Sequence, residues 1–251
     1  MALLSGKIAL VTGGARDIGR ATVLKLSQNG ASVVFTYLSS SEEAQETAAL
    51  AEQAGAKVLA VKADVTKSGD VDAVIKASTE AFGKHIHILV NNAGGLVARK
   101  KIDEMDEAFW NDVISLNLTS VFLVTKAVLP FMPDGSAIVN LSTQAARDGG
   151  GAGAIAYASA KAGVMTFTRG LAKELGAQRI RCNALAPGMI NTGFHNTFTK
   201  PEVRERVAAA TPLGREGEAQ EIAELVFFLA SDASSFMNGA TVDINGGTYF
   251  S

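Results

Sequence analysis

Short runs rich in Val, Ile and Leu alternate along this chain with longer segments in which apolar residues recur every three or four positions. The short runs predict buried strands and the longer segments predict amphipathic helices. Strands are predicted at residues 7–12, 32–37, 57–62, 86–91, 137–141, 180–184 and 240–244, and helices at 18–28, 41–54, 68–82, 106–129, 157–175 and 219–230. The strands are apolar on both faces, and their connections are too long for hairpins. This predicts a doubly wound, Rossmann-type α/β fold with a seven-stranded parallel sheet and helices on both faces.

Length and charge limit the kinds of protein that fit this pattern. A chain of 251 residues is long enough for one domain, spanning 1–251, that buries a whole sheet. The net charge of −2 and the lack of a long apolar run argue against nucleic acid or a membrane as partner and favour a small ligand. Cys182 is the single cysteine, and no basic segment precedes the apolar residues near the N-terminus. We therefore expect a cytoplasmic protein without an internal disulfide and without a metal site.

A glycine-rich turn follows the first predicted strand and leads directly into a helix. It reads Thr12-Gly13-Gly14-Ala15-Arg16-Asp17-Ile18-Gly19. Glycines at such a turn let backbone N–H groups approach a pyrophosphate at the helix N-terminus, where the helix dipole favours negative charge. An ordinary strand-to-helix turn can look similar, but the β-α-β context favours a dinucleotide-phosphate site.

This turn resembles the Thr-Gly-x-x-x-Gly-x-Gly pattern of the short-chain dehydrogenase/reductase family, in its single-domain branch. Three further motifs support the resemblance along the chain: Asp64-Val65, Asn91-Asn92-Ala93-Gly94 and Pro187-Gly188. The pattern is broken at Asp17, which stands where the family has its middle glycine. Its carboxylate would lie near the phosphates unless it turns toward free N–H groups as a helix N-cap.

The resemblance implies a set of cofactor contacts. Asp64 would contact the adenine amino group, Asn91 and Gly94 would border the adenosine ribose, and residues 187–192 would cap the nicotinamide amide. The full predicted set is Gly13, Arg16, Asp17, Ile18, Gly19, Tyr37, Ser39, Ser40, Asp64, Val65, Asn91, Ala93, Gly94, Tyr157, Lys161, Pro187, Gly188, Ile190 and Thr192.

The end of the second predicted strand indicates which dinucleotide binds. NAD-binding proteins usually carry an acidic residue there for the ribose 2′-hydroxyl, but residues 35–40 contain no Asp or Glu. A 2′-phosphate needs hydroxyl donors and a cation, which Ser39, Ser40 and Arg16 can supply. We therefore predict NADPH over NADH. The alternative, that Arg16 is a solvated surface side chain, predicts comparable turnover with both.

Tyr157 and Lys161 carry the predicted chemistry. Their i,i+4 spacing places a phenol and an ammonium on one face of a helix, although ordinary helix faces show the same spacing. A cation beside the phenol would lower the tyrosine pKa from near 10 toward neutral. The resemblance implies that Tyr157 is the acid/base, that Ser142 meets its hydroxyl and holds the substrate oxygen, and that Asn117 orders a water beside Lys161. The alternative for Asn117 is a structural core amide.

Two long segments, 147–154 and 188–213, are predicted to be irregular and follow strands on the carboxyl edge, where such sheets bind ligands. Around them we predict substrate contacts by Gln144, Gly149, Phe194 and His195, although a surface position for His195 is an open alternative. The predicted reaction is the interconversion of a secondary alcohol and a small polar ketone, such as a keto sugar or keto acid.

An acyl-carrier-protein substrate is the alternative, because the overall likeness is greatest to 3-oxoacyl-acyl-carrier-protein reductases. Those enzymes recruit an acidic carrier with basic residues before the fifth strand, whereas residues 129–135 here contain no Lys or Arg. Arg99, Lys100 and Lys101 could substitute, although such a run is usually only solvated. A catalytically inactive cofactor-binding sensor is a more distant alternative. The resemblance also implies a homotetramer.

Overall fold

The structure, a computed structural model, describes residues 3–250 and consists of strands that alternate with helices. The strands are β1 Ile8–Val11, β2 Ser32–Tyr37, β3 Val58–Lys62, β4 Ile88–Asn91, β5 Ala137–Leu141, β6 Arg181–Pro187, β7 Ile190–Asn191, β8 Gly217–Glu218 and β9 Thr241–Ile244. The α-helices are α1 Asp17–Gln28, α2 Ser41–Gln53, α3 Ser68–Phe82, α4 Glu107–Ile114, α5 Ser120–Val128, α6 Ala145–Asp148, α7 Ile155–Glu174, α8 Gly193–Phe198, α9 Pro201–Ala210 and α10 Ala219–Ala230.

Seven of these strands form one parallel sheet in the order β3-β2-β1-β4-β5-β6-β9. In the centre, Leu10 of β1 pairs with Val34 of β2 on one side and with Leu89 of β4 on the other. The order reverses at β1, because the chain first builds outward to β3 and then crosses back to β4. Doubly wound sheets bind ligands in the crevice at this reversal. The predicted fold class is confirmed.

Helices cover both faces of the sheet because successive strand residues point to opposite sides. On β1, Ala9 and Val11 pack in one apolar cluster with residues of α1, α2 and α10. Leu10, between them, packs in a second cluster with residues of α3, α5 and α7. This two-sided burial explains why the strands read as continuous apolar runs.

The helix predicted at 106–129 contains a π turn, Ser115–Thr119, between α4 and α5. The combined helix Glu107–Phe131 has a mean hydropathy of 1.6 in an 18-residue window. By length and composition alone it could span a membrane, which the search for long apolar runs in the sequence did not predict. Val124 and Val128 are buried in the second apolar cluster. The apolar character of this helix therefore packs the core beside the sheet.

The two segments predicted to be irregular contain regular structure. Segment 147–154 overlaps the end of α6, and segment 188–213 holds β7, α8 and α9. Helix α8 has six residues, which is too short for a hydrophobic period to be recognised. Helix α9 begins with Pro201 and carries Glu202 in its first turn, a helix-start signal that the hydrophobic pattern did not reveal.

Candidate active site

A cleft of about 820 Å³ follows the carboxyl ends of the central strands. Most residues predicted for the site line it, namely Gly13, Arg16, Asp17, Ile18, Gly19, Tyr37, Ser39, Ser40, Asp64, Val65, Ala93, Gly94, Ser142, Gln144, Tyr157, Lys161, Pro187, Gly188, Ile190, Thr192, Phe194 and His195. Within residues 3–250, Asn91, Asn117 and Gly149 do not belong to the cleft wall. The topology thus gathers residues from distant parts of the chain at one edge of the sheet.

The glycine-rich turn has the shape of a phosphate cradle. A Cβ added to Gly13, whose φ is +68°, would lie 3.1 Å from the Ala93 Cα, and a Cβ added to Gly19 would lie 1.9 Å from the Gly13 carbonyl oxygen. The Arg20 N–H bonds back to the Arg16 carbonyl at 3.0 Å, whereas the N–H groups before it belong to the open first turn of α1. Backbone donors and close packing without side chains fit a pyrophosphate.

Asp17, which replaces the middle glycine, adopts φ +52°. Only glycine takes this left-handed conformation freely, although Asp tolerates it. The Oδ1 atom of Asp17 accepts the backbone N–H of Gly193 at 3.0 Å, and the Oδ2 atom lies 3.9 Å from Nε of Arg16. The carboxylate does turn toward a free N–H group, but that group belongs to α8 and not, as an N-cap would require, to α1.

Residues predicted around the adenosine divide between the cleft and the interior. Asp64 lines the cleft, and the Thr66 hydroxyl and N–H donate to its Oδ1 at 2.6 and 3.0 Å, which lowers the pKa of the carboxyl. The Asn91 amide instead donates to the Asn140 Oδ1 at 2.9 Å and to the Thr125 Oγ1 at 3.1 Å. The Asn91 side chain therefore joins β4 to β5 and α5 in the core, and the ribose position predicted for this residue stays a prediction.

The groups predicted to bind a 2′-phosphate all line the cleft. The Arg16 side chain is exposed, and Ser40 precedes α2 without using its hydroxyl to cap that helix. Arg20, the next basic residue, is already bonded to Glu46 at 2.7 Å. Arg16 and the two serines, Ser39 and Ser40, thus present a guanidinium and hydroxyls where the end of β2 meets the cleft.

Tyr157 lies in the first turn of α7, with Lys161 one turn later. The Lys161 Nζ donates to the Leu141 carbonyl at 2.7 Å, and the Ser142 hydroxyl donates to the Lys161 carbonyl at 2.8 Å. The Thr143 side chain lies close enough to the Tyr157 hydroxyl to act on its pKa. Thr143, to which no role was assigned from the sequence, therefore lies beside the phenol, while the Ser142 hydroxyl is bonded to the Lys161 carbonyl.

Burial determines the protonation of Tyr157 and Lys161. Desolvation raises the pKa of Tyr157 to about 12, with a smaller opposite effect of the Thr143 hydrogen bond. Desolvation also lowers the pKa of Lys161 to about 8. The pKa of Tyr157 is thus raised by burial and not, as the sequence had predicted, lowered by Lys161. Tyr157 therefore keeps its proton at neutral pH.

Asn117 lies in the π turn and is fully buried. Its Nδ2 donates to the carbonyls of Gly95 and Val113 at 2.8 and 2.9 Å, and its Oδ1 accepts the Gly95 N–H at 2.9 Å. A Cβ on Gly94 would lie 2.7 Å from this Oδ1 and 3.0 Å from the Lys161 Nζ. Asn117 therefore anchors the loop after β4 beside Lys161, and its role in a water relay stays a prediction.

Helix α8 forms a wall of the cleft over Tyr157. The ring centroid of Phe194 lies 6.0 Å from that of Tyr157 and 5.2 Å from that of Phe198. His195 is half-buried, its Nδ1 lies 3.0 Å from the Thr199 Oγ1, and burial lowers its pKa. His195 is therefore a neutral hydrogen-bonding group of the cleft at pH 7 and not a solvated surface residue.

Arg99 joins the two segments that border the substrate end of the cleft. Its Nε donates to the Phe198 carbonyl and its Nη1 to the Ala152 carbonyl, both at 3.1 Å. The neighbouring Lys100 pairs with Asp106 at 3.2 Å. Two of the three cations considered for a carrier protein thus bind groups of their own chain. No hydrophobic pattern signals the role of Arg99, because both of its acceptors are backbone carbonyls.

Comparisons with known proteins agree with this geometry over nearly the whole chain. A family model described as enoyl-(acyl carrier protein) reductase matches residues 13–249. The 3-oxoacyl-[acyl-carrier-protein] reductase FabG of Pseudomonas aeruginosa is 40% identical over 254 residues, covering 99% of each chain. The uncharacterized oxidoreductase YgfF of Escherichia coli is 37% identical over 245 residues, covering 96% of this chain and 99% of its own.

Two solved structures share this fold over nearly the whole chain. A short-chain dehydrogenase/reductase from Serratia marcescens superposes with a TM-score of 0.92 at 33% identity, covering 98% of each chain. A blue fluorescent protein from a metagenomic library, solved in complex with NADPH, superposes with a TM-score of 0.92 at 32% identity, covering 99% of this chain and 100% of its own. The chain therefore belongs to the short-chain dehydrogenase/reductase family, whose members are oxidoreductases that use a nicotinamide cofactor on secondary alcohols and ketones.

Proposed function

We propose that this protein is an NADP(H)-dependent reductase of a small polar ketone, such as a keto sugar or a keto acid. The observation that carries the proposal is the protonated, half-buried Tyr157 hydroxyl at one end of a cleft whose other end is a phosphate cradle. Gln144 and His195 line the cleft with side chains that hydrogen-bond to hydroxyl, carbonyl or carboxylate oxygens. Such a lining suits a ligand with several oxygen atoms.

The preference for NADPH rests on the composition of the cleft where β2 ends. No carboxylate occurs in residues 35–40, where an NAD-binding protein would use one, and Arg16, Ser39 and Ser40 line the cleft. A guanidinium with hydroxyl donors suits a phosphate better than a ribose hydroxyl. A related structure with the same fold was solved in complex with NADPH, which supports the same preference.

The proposed mechanism uses Tyr157 as the acid. A reduced nicotinamide held in the cleft would supply the hydride for the carbonyl carbon. Tyr157 donates its proton to the carbonyl oxygen, so that the product is a secondary alcohol and the phenol is afterwards reprotonated from solvent. Ser142 can turn its rotatable hydroxyl from the Lys161 carbonyl to this oxygen as negative charge develops there. Lys161, as a cation one turn away, stabilises the phenolate that Tyr157 becomes.

Reduction of a 3-oxoacyl group on a carrier protein is the second candidate. It is favoured by the relatives with that name, including the one in Pseudomonas aeruginosa. The surface argues against it, because residues 129–135 carry no cation and Arg99 and Lys100 are engaged within the chain. An acidic carrier protein needs free positive charge for docking.

The experiment that tests the proposal compares substrates under one set of conditions. NADPH oxidation is measured with keto uronates, 2-keto acids, acetoacetyl thioesters and an acetoacetyl carrier protein. We expect kcat/KM for a small polar ketone to exceed that for either acetoacetyl substrate by about tenfold or more. A higher kcat/KM with the acetoacetyl carrier protein would contradict the proposal and establish the second candidate.

The cofactor preference has its own test in Arg16→Ala. Loss of the guanidinium should raise the KM for NADPH about tenfold and leave the KM for NADH nearly unchanged, because only NADPH carries the 2′-phosphate. NADH thus serves as the internal control. Equal changes for both cofactors would place Arg16 outside the 2′-phosphate site.

A homotetramer completes the proposal. Large apolar side chains are exposed on this chain, among them Phe122 on α5, Phe228 on α10, and Phe236. Burial of such side chains against further copies would remove apolar surface from water. Light scattering of the purified protein should give a mass near four times 26.0 kDa, and a monomeric mass would contradict the assembly.

A further inference from the structure

The contact between Asp17 and Gly193 joins two parts of the cleft that are 176 residues apart in the chain. Asp17 opens α1 at the phosphate cradle, and Gly193 opens α8, the wall that carries Phe194 over Tyr157. The bond is charge-assisted, because a carboxylate accepts it. One side chain therefore links the cofactor end of the cleft to its substrate end.

Asp17 makes this contact from an unfavourable backbone conformation. A φ of +52° is costly for a residue with a side chain, and a glycine would adopt it freely. At Gly193, an added Cβ would lie 3.2 Å from the Asp17 Oδ2 and 3.6 Å from the Arg16 Nη1, so the two segments are closely apposed. The left-handed backbone of Asp17 directs the carboxylate to α8, where it lies close to Gly193.

The same carboxylate affects cofactor binding. Any nicotinamide dinucleotide brings two phosphate charges to the first turn of α1, and Asp17 is the first residue of that turn. The Asp17 side chain is about one-third exposed, and the Arg16 guanidinium, 3.9 Å away, offsets only part of its charge. A carboxylate at this position repels the phosphates even while it is bonded to Gly193.

We propose that Asp17 is a positioning residue that fastens α8 to the phosphate cradle, and that it orders the substrate wall while weakening the binding of the cofactor. The inference rests on the nicotinamide cofactor of the family and not on the identity of the ketone. It assigns to the residue that breaks the glycine pattern a function of its own.

Two variants separate the hydrogen bond from the charge. Asp17→Asn keeps an oxygen acceptor for the Gly193 N–H and removes the negative charge. Asp17→Gly removes both and restores the residue that the φ of +52° favours, so both variants should fold. Their thermal unfolding, compared with that of the wild type, checks this.

The fastening of α8 is tested without cofactor or ketone, by hydrogen–deuterium exchange of the peptide that covers residues 191–198. We expect exchange in Asp17→Gly to accelerate about tenfold, because the Gly193 N–H loses its acceptor, and exchange in Asp17→Asn to stay close to that of the wild type. Unchanged exchange in Asp17→Gly, or equal acceleration in both variants, would overturn the fastening.

The effect on the cofactor is tested by titration with NADPH and with NADH, since both carry the pyrophosphate. We expect Asp17→Asn and Asp17→Gly to bind each dinucleotide about two- to fivefold more tightly, the size typical of a partly exposed charge pair. An unchanged or weaker affinity in Asp17→Asn would overturn this part. Because neither experiment uses a ketone, failure of the proposed substrate class and failure of this inference are distinguishable.

Discussion

The floor and the wall of the cleft are built in different ways. The floor consists of strand ends and glycine turns, where backbone packs on backbone and a Cβ at Gly19 would lie 1.9 Å from a carbonyl oxygen. The wall consists of α8 and α9, which are held by a few polar side chains that include Asp17, Arg99 and Arg204. The packed glycines of the floor thus leave no room for a Cβ, whereas the contacts of the wall can be changed one at a time. Cofactor binding should fail abruptly when a side chain is added at Gly19, and substrate recognition should shift gradually.

The largest effect is expected from Gly19→Ala. The added methyl group must displace the Gly13 carbonyl and so deforms the phosphate cradle, which should abolish measurable dinucleotide binding. Gly170→Ala is the matched control, because Gly170 lies within α7 with open space around it and the exchange should stabilise the helix by about 0.5–1 kcal/mol. Titration with NADPH and thermal unfolding of both variants check this. Normal binding in Gly19→Ala would contradict the contrast between floor and wall.

The paired variants Ser142→Ala and Thr143→Val test which of the two hydroxyls supports the reaction at the catalytic end of the cleft. If Ser142 holds the developing oxyanion, its loss should lower kcat by about 10²-fold or more. Thr143 affects the pKa of Tyr157 less than burial does, so Thr143→Val should have a smaller effect. Steady-state kinetics with the best substrate measure both. A larger loss in Thr143→Val would transfer the proposed role of Ser142 to Thr143.

Lys161→Met tests whether burial lowers the pKa of Lys161 at the catalytic end of the cleft. The pKa of Lys161 is about 8 in the folded protein against 10.5 for an unburied lysine. Between these values the unfolded chain holds more protons than the folded chain, so Lys161 makes the free energy of unfolding rise with pH. The difference in stability between wild type and Lys161→Met should therefore change in favour of the wild type from pH 8 to pH 10. Urea unfolding of the cofactor-free proteins measures it, and a constant difference would contradict the shift.

The smallest effect is expected on the wall, from Arg99→Met. Loss of its two bonds to the Phe198 and Ala152 carbonyls should raise the KM for the ketone about threefold to tenfold with little change in kcat. Lys101→Met, an exposed neighbour, is the control and should leave the KM unchanged. If kcat changed as much as KM, Arg99 would act on the chemical step and not only on the binding of the ketone.

The floor could be predicted from the sequence and the wall could not. The apolar runs predicted seven strands in a doubly wound sheet, and the glycine turn and the Tyr157–Lys161 spacing located both ends of the cleft. These features are local, so they can be recognised from neighbouring residues in the sequence. Helix α8, with six residues, and the hydrogen bonds of Arg99 give no such local pattern, because they depend on chain segments that meet only after folding.

Two side chains have partners that the sequence did not predict, for related reasons. Asn91 follows the family motif, yet the side chain joins β4 to β5 in the core, because strand pairing sets its direction. Ser142 and Thr143 are adjacent at the end of β5, and which of them reaches Tyr157 depends on rotation about single bonds. A sequence motif therefore predicts which part of the fold a residue occupies, and packing decides what its side chain contacts.

The most direct test of the account is the reduction of a polar ketone by wild type and Tyr157→Phe, with NADPH binding measured on the same samples. The Phe variant lacks only the hydroxyl whose burial raises its pKa to about 12. We predict that kcat falls by about 10³-fold or more while the Kd for NADPH stays within about twofold of the wild type. Substantial turnover by Tyr157→Phe would contradict the account, because another group would then supply the proton.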